Sequence, residues 1–134
     1  MRFDTLEKLV EVCNQEGKSI SQIMLEDQAF ESGRSEEHEF QKMAEYYQVM
    51  KEAVRKGLTE DTRSRSGLTG GDAQRVMKWA ENGSACLGDA AVKAMAYALA
   101  VSEVNASMGR IIAKPTAGAC GIIPGVFVSA PERV

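Results

Sequence analysis

The stretch DAAVKAMAYALAVSEVNAS, residues 89–107, contains neither proline nor glycine and is the most alanine-rich part of the chain. Alanine is the strongest helix former, so this composition predicts one helix over residues 89–107. Its alanines lie on several faces of that helix, at Ala90, Ala91, Ala94, Ala96, Ala98, Ala100 and Ala106. Because small side chains allow neighbouring backbones to approach closely, we expect this helix at the centre of a helical bundle.

The sequence before this stretch predicts four further helices, over residues 4–16, 19–32, 35–56 and 72–82. The first three carry apolar residues every three or four positions, the spacing of a helix with one packed face. Each is preceded by a residue suited to an N-cap, namely Asp4, Ser19 and Ser35. Each is expected to end at a glycine, namely Gly17, Gly33 and Gly57. The predicted fold class is therefore all-α, with about five helices.

Charge divides the sequence into two parts. Residues 1–65 contain 10 Lys or Arg and 14 Asp or Glu, 24 charged residues in all, whereas residues 66–134 contain 6 and 5, or 11. We interpret residues 1–57 as amphipathic helices and residues 58–134 as the buried core, within a single domain. The formal net charge of −3 gives no electrostatic basis for binding nucleic acid or an anionic membrane. No signal peptide or membrane span is recognisable, which predicts a cytoplasmic protein.

The tail RIIAKPTAGACGIIPGVFV, residues 110–128, is apolar but interrupted by two prolines and three glycines. These residues predict an irregular backbone after the last helix rather than a continuous helix. A buried irregular segment needs partners for its backbone polar groups, and a ligand or a metal cluster commonly supplies them.

Within this tail, PTAGACGIIPG (residues 115–125) places Cys120 on a predicted turn between Gly118 and Gly121. The residues alone leave two interpretations open. The turn either presents a thiol and free amides to an inorganic cluster, or it connects two helices and the cysteine merely packs. Cys13 and Cys86 occur in no comparable setting and are predicted to be buried free thiols. Three cysteines without a CxxC pair argue against a disulfide framework.

Two segments resemble a known family. PTAGACGIIPG is similar to the P-T-x-G-A-C-G-x-x-P signature of iron–sulfur-dependent L-serine dehydratases. SGLTGGD, residues 66–72, resembles a glycine-rich segment of the catalytic alpha subunit of the two-subunit form. The resemblance implies that the chain is the N-terminal part of that subunit. It also implies a [4Fe–4S] cluster held by three cysteines, of which Cys120 matches the first and the other two lie beyond residue 134.

The reaction implied by this resemblance is the dehydration of L-serine to aminoacrylate, which hydrolyses to pyruvate and ammonia. An open iron of the cluster would act as a Lewis acid on the serine hydroxyl while a base removes the Cα proton. The implied partners are L-serine, the rest of the alpha chain and the beta subunit. With one cluster ligand in three, the chain alone is expected to be inactive.

The resemblance also places substrate-binding residues in both segments, at Ser66, Thr69, Gly70, Gly71, Thr116, Gly118 and Ala119. For SGLTGGD, free N–H groups at the start of the following helix would bind the substrate carboxylate. In the alternative interpretation, Thr69 or Asp72 simply caps that helix. The catalytic base is not identified, because the single histidine, His38, lies in the acidic run SEEHEF and is predicted to be a solvated surface residue.

Two other functions fit parts of the sequence. A non-catalytic helical interaction module would explain the amphipathic first half and treat Cys120 as a packed thiol. A phosphate- or nucleotide-binding enzyme using the turn at residues 115–125 is disfavoured, because the Lys-Ser/Thr pair of a P-loop is missing. Apolar surface around residues 90–101 and 111–128 predicts self-association.

Overall fold

The computed structural model describes residues 3–83, 88–113, 116 and 119–130, and this part of the chain is helical without any strand. Its helices are α1 (Leu6–Glu16), α2 (Ile20–Ser32), α3 (Glu36–Thr59), α4 (Asp72–Glu81), α5 (Asp89–Ala106) and α6 (Ala119–Ser129). The predicted all-α class is confirmed, and all five predicted helices are present. None of these helices is both long and apolar enough to cross a membrane.

Local capping residues set the ends of the first two helices. The N-cap of α1 is Thr5, whose hydroxyl accepts a hydrogen bond from the Lys8 amide at 3.2 Å. The predicted cap, Asp4, instead forms an ion pair with the Lys8 ammonium at 3.0 Å. Ser19 caps α2 as predicted, in a capping box with Gln22. Both helices end at the predicted glycines, Gly17 and Gly33, which adopt the left-handed conformation.

Gly57 does not end α3, which continues to Thr59. The prediction treated this glycine as a C-cap, but its role lies in packing. A β-carbon at residue 57 would overlap the backbone carbonyl of Ala100 in α5. The absence of a side chain at this position therefore permits close approach of α3 to α5, while the helix passes through it.

The chain forms two compact units, residues 1–45 and 46–134, and the boundary lies inside α3. In the first unit α1 contacts α2, and the apolar side chains of Leu9, Ile23 and Ala29 are buried. In the second unit α5 contacts both α4 and α6. The core of the second unit consists of Met50, Ala53, Val54, Tyr97, Val101, Val104, Cys120 and Val128. The alanine-rich α5 is therefore central to this unit, as predicted.

Helix α6 corrects part of the prediction of irregular backbone over residues 110–128: residues 119–128 are helical, whereas residues 110–113 and 116 lie in no helix. Pro124 lies inside this helix and is buried, although its nitrogen cannot donate a hydrogen bond to the Cys120 carbonyl, four residues earlier. Gly121 and Gly125 lie against the backbone of α5 at Ala98 and Ala94. Close packing against α5 thus outweighs the poor helix propensity of this sequence, a tertiary effect that local signals do not contain.

Candidate substrate loop and thiol site

The predicted SGLTGGD segment lies in the loop between α3 and α4, which is closed by hydrogen bonds of its own. The Ser64 amide donates to the Thr69 carbonyl at 2.9 Å, and the Thr69 amide donates to the Ser64 hydroxyl at 3.1 Å. The Gly67 amide completes a tight turn by donating to the Ser64 carbonyl at 2.8 Å. The side chains of Ser66 and Thr69 are both exposed. The loop therefore presents two hydroxyl groups on a closed backbone.

The loop is attached to its surroundings at both ends. The Arg65 amide donates to the Ala106 carbonyl, at the C-terminal end of α5, at 3.3 Å. The Gln74 side-chain amide donates to the Glu60 carbonyl at 2.9 Å, joining the start of α4 to the end of α3. Within the second unit, these contacts hold the loop against the end of α5 and join its two ends.

The adjacent glycines Gly70 and Gly71 are required for different reasons. Gly70 is buried with φ 146°, and a β-carbon there would overlap the Thr62 carbonyl. Gly71 has φ 80°, also in the region that disfavours side chains, but a β-carbon there would meet no atom within 4 Å. The hydroxyl of Thr62 is buried and has no hydrogen-bond partner in the described part of the chain.

The start of α4 is capped by a residue that sequence reasoning missed. One carboxylate oxygen of Glu103, in α5, accepts hydrogen bonds from the amides of Asp72 at 2.6 Å and Ala73 at 3.2 Å. The alternative in which Thr69 or Asp72 caps this helix is wrong, because Gly71 is the N-cap and no side chain of the loop caps it. The one sequence feature that points to Glu103 is that it is a single acidic residue within the otherwise apolar stretch AVSEV, residues 100–104.

The side chain of Asp72 has another partner. Its carboxylate forms a close ion pair with the guanidinium of Arg75, one turn further along α4. This ion pair, with a smaller contribution from Glu103, raises the pKa of Arg75 above its ordinary value. The helix end thus carries two carboxylates and one cation.

The occupation of these amides changes which N–H groups remain for a ligand. The prediction assigned the substrate carboxylate to free amides at the helix start, but Glu103 already occupies those of Asp72 and Ala73. The amides of Gly70 and Gly71 donate to no acceptor within the described residues. Within SGLTGGD, the amides without an acceptor among the described residues are therefore those of Ser66, Gly70 and Gly71.

The second predicted segment forms the start of α6. The Ala119 amide donates to the hydroxyl of Thr116 at 3.3 Å and to its carbonyl at 3.2 Å. Thr116 is exposed and stabilises the helix start, as an N-terminal capping residue does. Gly118, also a predicted substrate-binding residue, lies outside the described residues.

Cys120 is the second residue of α6, and only 2% of its surface is exposed. Its thiol belongs to the apolar core that includes Tyr97, Val101 and Val104 of α5. Burial raises the pKa of the Cys120 thiol, so it is protonated at neutral pH. Metal ligation requires the thiolate, which this environment disfavours.

The described residues alone do not fit an iron–sulfur cluster. Such a cluster requires several thiolates or other ligands together. Within the described ranges no three His, Cys, Asp or Glu side chains converge on a common metal position. Cys13 is a half-buried free thiol in α1, and Cys86 lies outside the described residues.

The two predicted segments share one supporting helix. Glu103 and Ala106 of α5 hold the loop and the start of α4, and the neighbouring Val104 belongs to the same core cluster as Cys120. Val101 and Val104 therefore belong to the core cluster that contains Cys120, while Glu103 and Ala106 accept hydrogen bonds from the start of α4 and from the loop. The C-terminal half of α5 is thus the common scaffold of the candidate site.

His38 lies in the first unit of the chain. Its side chain is exposed in the first turn of α3, and its Nε2 atom lies 3.1 Å from a guanidinium nitrogen of Arg34. The prediction of a surface histidine is confirmed.

Comparisons with known proteins identify a matching family. The family described as serine dehydratase alpha chain matches residues 15–134. The L-serine dehydratase alpha chain of Peptoniphilus asaccharolyticus is 38% identical over 131 residues, which cover 98% of this chain and 45% of that protein. The probable L-serine dehydratase alpha chain of Bacillus subtilis is 36% identical over 132 residues, which cover 98% and 44%.

A third relative, the L-serine dehydratase of Streptomyces coelicolor, is 36% identical over 132 residues, which cover 93% of this chain and 27% of that protein. The chain spans less than half the length of these curated relatives. No solved structure matches it significantly.

Proposed function

Because the chain belongs to the serine dehydratase alpha chain family, we propose that it is part of an enzyme that converts L-serine to pyruvate and ammonia. In this proposal the chain is the N-terminal part of the alpha subunit of a two-subunit enzyme in the cytoplasm, and it belongs to one catalytic domain with the rest of that subunit. The observation that best supports a shared site is structural. The loop and the Cys120 segment are both held by the C-terminal half of α5.

The loop is proposed to bind the amino-acid substrate. The amides of Gly70 and Gly71 donate to no acceptor among the described residues, and a carboxylate accepts hydrogen bonds from such backbone N–H groups. Ser66 and Thr69 add exposed hydroxyl groups on the same closed loop. Thr116, Gly118 and Ala119 are proposed to complete the site, although the Ala119 amide is already bonded to Thr116.

The cofactor proposal concerns the complete enzyme. We propose a [4Fe–4S] cluster there, with Cys120 as one of three cysteine ligands and the others supplied by sequence that this chain does not contain. The packed, protonated thiol of Cys120 does not fit a ligand as it stands, so ligation requires its deprotonation and a change in its surroundings. On this proposal the present chain alone neither holds the cluster nor turns over L-serine.

The proposed partners are the rest of the alpha chain, a beta subunit and further copies of this chain. Support for association comes from α6, where Ile122, Val126 and Phe127 are between 50% and 64% exposed. Adjacent exposed apolar side chains favour contact with another protein surface.

One observation favours a different function. The burial of Cys120 in an apolar core is what a packing cysteine in a non-catalytic helical interaction module would show. The two functions differ in a measurable way, because only the enzyme needs a reactive thiolate at residue 120.

The test is anaerobic reconstitution of the complete alpha subunit with iron and sulfide, in the presence of its partner subunit. We expect visible cluster absorbance and pyruvate formation from L-serine, and we expect Cys120→Ser to lose both. Cys13→Ser is the matched control and should retain both. Retention of cluster and turnover by Cys120→Ser would remove Cys120 from the cofactor proposal, and a wild-type enzyme without pyruvate formation would refute the function itself.

A further inference from the structure

Helix α4 begins without a cap of its own. Its N-cap residue, Gly71, lacks a side chain, and its left-handed conformation differs from the extended conformation of most N-cap residues. The amides of Asp72 and Ala73 are bound instead by Glu103, which lies in another helix. The cap therefore comes from tertiary structure.

A buried carboxylate is a costly way to stabilise a helix start. Glu103 is only 6% exposed, and its second oxygen, Oε2, is buried with no hydrogen-bond partner among the described residues. An unpaired buried acceptor opposes folding, and more so when it is charged. A Ser, Asp or Asn before the helix would bond the same amides at the surface without that penalty.

The cap from Glu103 has one consequence for the loop. No side chain of the loop is needed at the helix start, so Gly71, which is partly exposed, has no side chain to cover its backbone, whereas Gly70 is buried. The Gly71 amide donates to no acceptor among the described residues, and a β-carbon there would meet no atom within 4 Å. Small ligands approach a backbone closely only where such side chains are missing.

We propose that Glu103 is a positioning residue of the substrate site: its carboxylate holds the start of α4 and so keeps the amide of Gly71 fixed and open to L-serine. This inference rests on the proposed function. Glu103 itself does not contact the substrate. Its carboxylate already occupies the Asp72 and Ala73 amides, so the substrate carboxylate is directed to the amide of Gly71.

The hold of Glu103 on α4 is tested without any enzyme assay, by amide hydrogen exchange in the present chain. Removal of a hydrogen bond to a charged group should speed exchange of the Asp72 and Ala73 amides about tenfold or more in Glu103→Ala. Glu103→Gln keeps an oxygen acceptor and should stay close to wild type. Val101→Ala, a buried substitution two residues away, should not single out these two amides from the rest of α4. Unchanged exchange at both amides in Glu103→Ala would overturn the inference.

The effect on the substrate is tested in the complete enzyme by steady-state kinetics. Glu103→Ala should raise the KM for L-serine about tenfold and change kcat less, and Glu103→Gln should restore most of the affinity. Val92→Ala, a buried substitution in the N-terminal half of α5 and outside the core cluster of Cys120, controls for general destabilisation and should leave KM within about twofold of wild type. Equal KM changes in Glu103→Ala and Val92→Ala would reduce Glu103 to a purely structural residue. If the wild-type enzyme does not convert L-serine, the proposed function fails, while the exchange experiment still decides whether Glu103 holds α4.

Discussion

A β-carbon at Gly121 would lie 2.5 Å from the carbonyl oxygen of Ala98, so α5 and α6 meet with their backbones in close contact. One turn further along α6, a β-carbon at Gly125 would lie 2.7 Å from the carbonyl oxygen of Ala94. Two glycines spaced four residues apart thus form one face of α6. This face allows α6 to pack on the alanine-rich helix and explains why these glycines do not interrupt α6.

Gly121→Ala should destabilise the chain. Alanine gains about 1 kcal/mol over glycine in helix propensity. The added methyl group would overlap the Ala98 backbone, which cannot move aside as a side chain can, and overpacking costs about 1–3 kcal/mol or more. We expect a net loss in the free energy of unfolding, measured by urea denaturation. Ile122→Ala is the control, because Ile122 is 64% exposed and should change stability by about 0.5 kcal/mol or less. A Gly121→Ala variant as stable as wild type would show that α5 and α6 are further apart.

Ser19→Ala should weaken α2 at its start. The Ser19 hydroxyl accepts from the Gln22 amide and the Gln22 side chain accepts from the Ser19 amide at 2.9 Å. Loss of an N-cap hydroxyl costs about 1 kcal/mol of stability. The measurement is the midpoint of thermal unfolding, with Ser21→Ala as the control, because the Ser21 hydroxyl contacts only the Ser19 hydroxyl. Equal midpoints for the two variants would contradict the capping role.

The burial of Cys120 predicts a pH dependence of stability in the chain without iron. Burial raises the pKa of this thiol in the folded state, so above the ordinary thiol pKa the unfolded chain loses the proton first. The contribution of the Cys120 thiol to the free energy of unfolding is therefore fully present at lower pH. It is lost as pH rises above about 8.5, by at most about 1.4 kcal/mol per pH unit.

The matched measurement compares urea unfolding of wild type and Cys120→Ala between pH 7 and pH 10. Other groups titrate equally in both proteins, so a difference between the two slopes of unfolding free energy against pH is due to Cys120. We expect the steeper decline in the wild type. Parallel curves would mean that the thiol is accessible to water in the folded chain.

Phe127→Lys should reduce self-association. Phe127 is 57% exposed beside Ile122 and Val126, and its carbonyl accepts from the Tyr47 hydroxyl through the backbone, a contact that the substitution retains. A charge in an apolar contact surface opposes burial of that surface. Sedimentation velocity at micromolar concentration should show a dimer or larger species for wild type and a smaller species for the variant. Phe30→Lys, in the exposed part of α2, is the control, and a monomeric wild-type chain would refute the proposal.

Much of the candidate site depends on contacts between residues that are far apart in the sequence. The motifs around residues 66–72 and 115–125 were recognisable because they are contiguous, and they led to the correct family. Glu103 was not predicted, because nothing in its neighbourhood shows that it reaches amides about thirty residues earlier. The local sequence also does not decide whether Cys120 is buried, because its partners in the core come from α3 and α5 as well as α6.

The sequence by itself determined five helices and the glycine ends of α1 and α2, because periodicity, capping and left-handed glycines act within a few residues. Only the tertiary structure decided that α3 continues through Gly57 and that residues 119–129 are helical despite Pro124. In both places a glycine allows close packing against α5, at Ala100 and at Ala98. The stabilising energy of that packing comes from contact with a second helix, and it outweighs the weak local helix propensity. The local sequence carries no information about that contact.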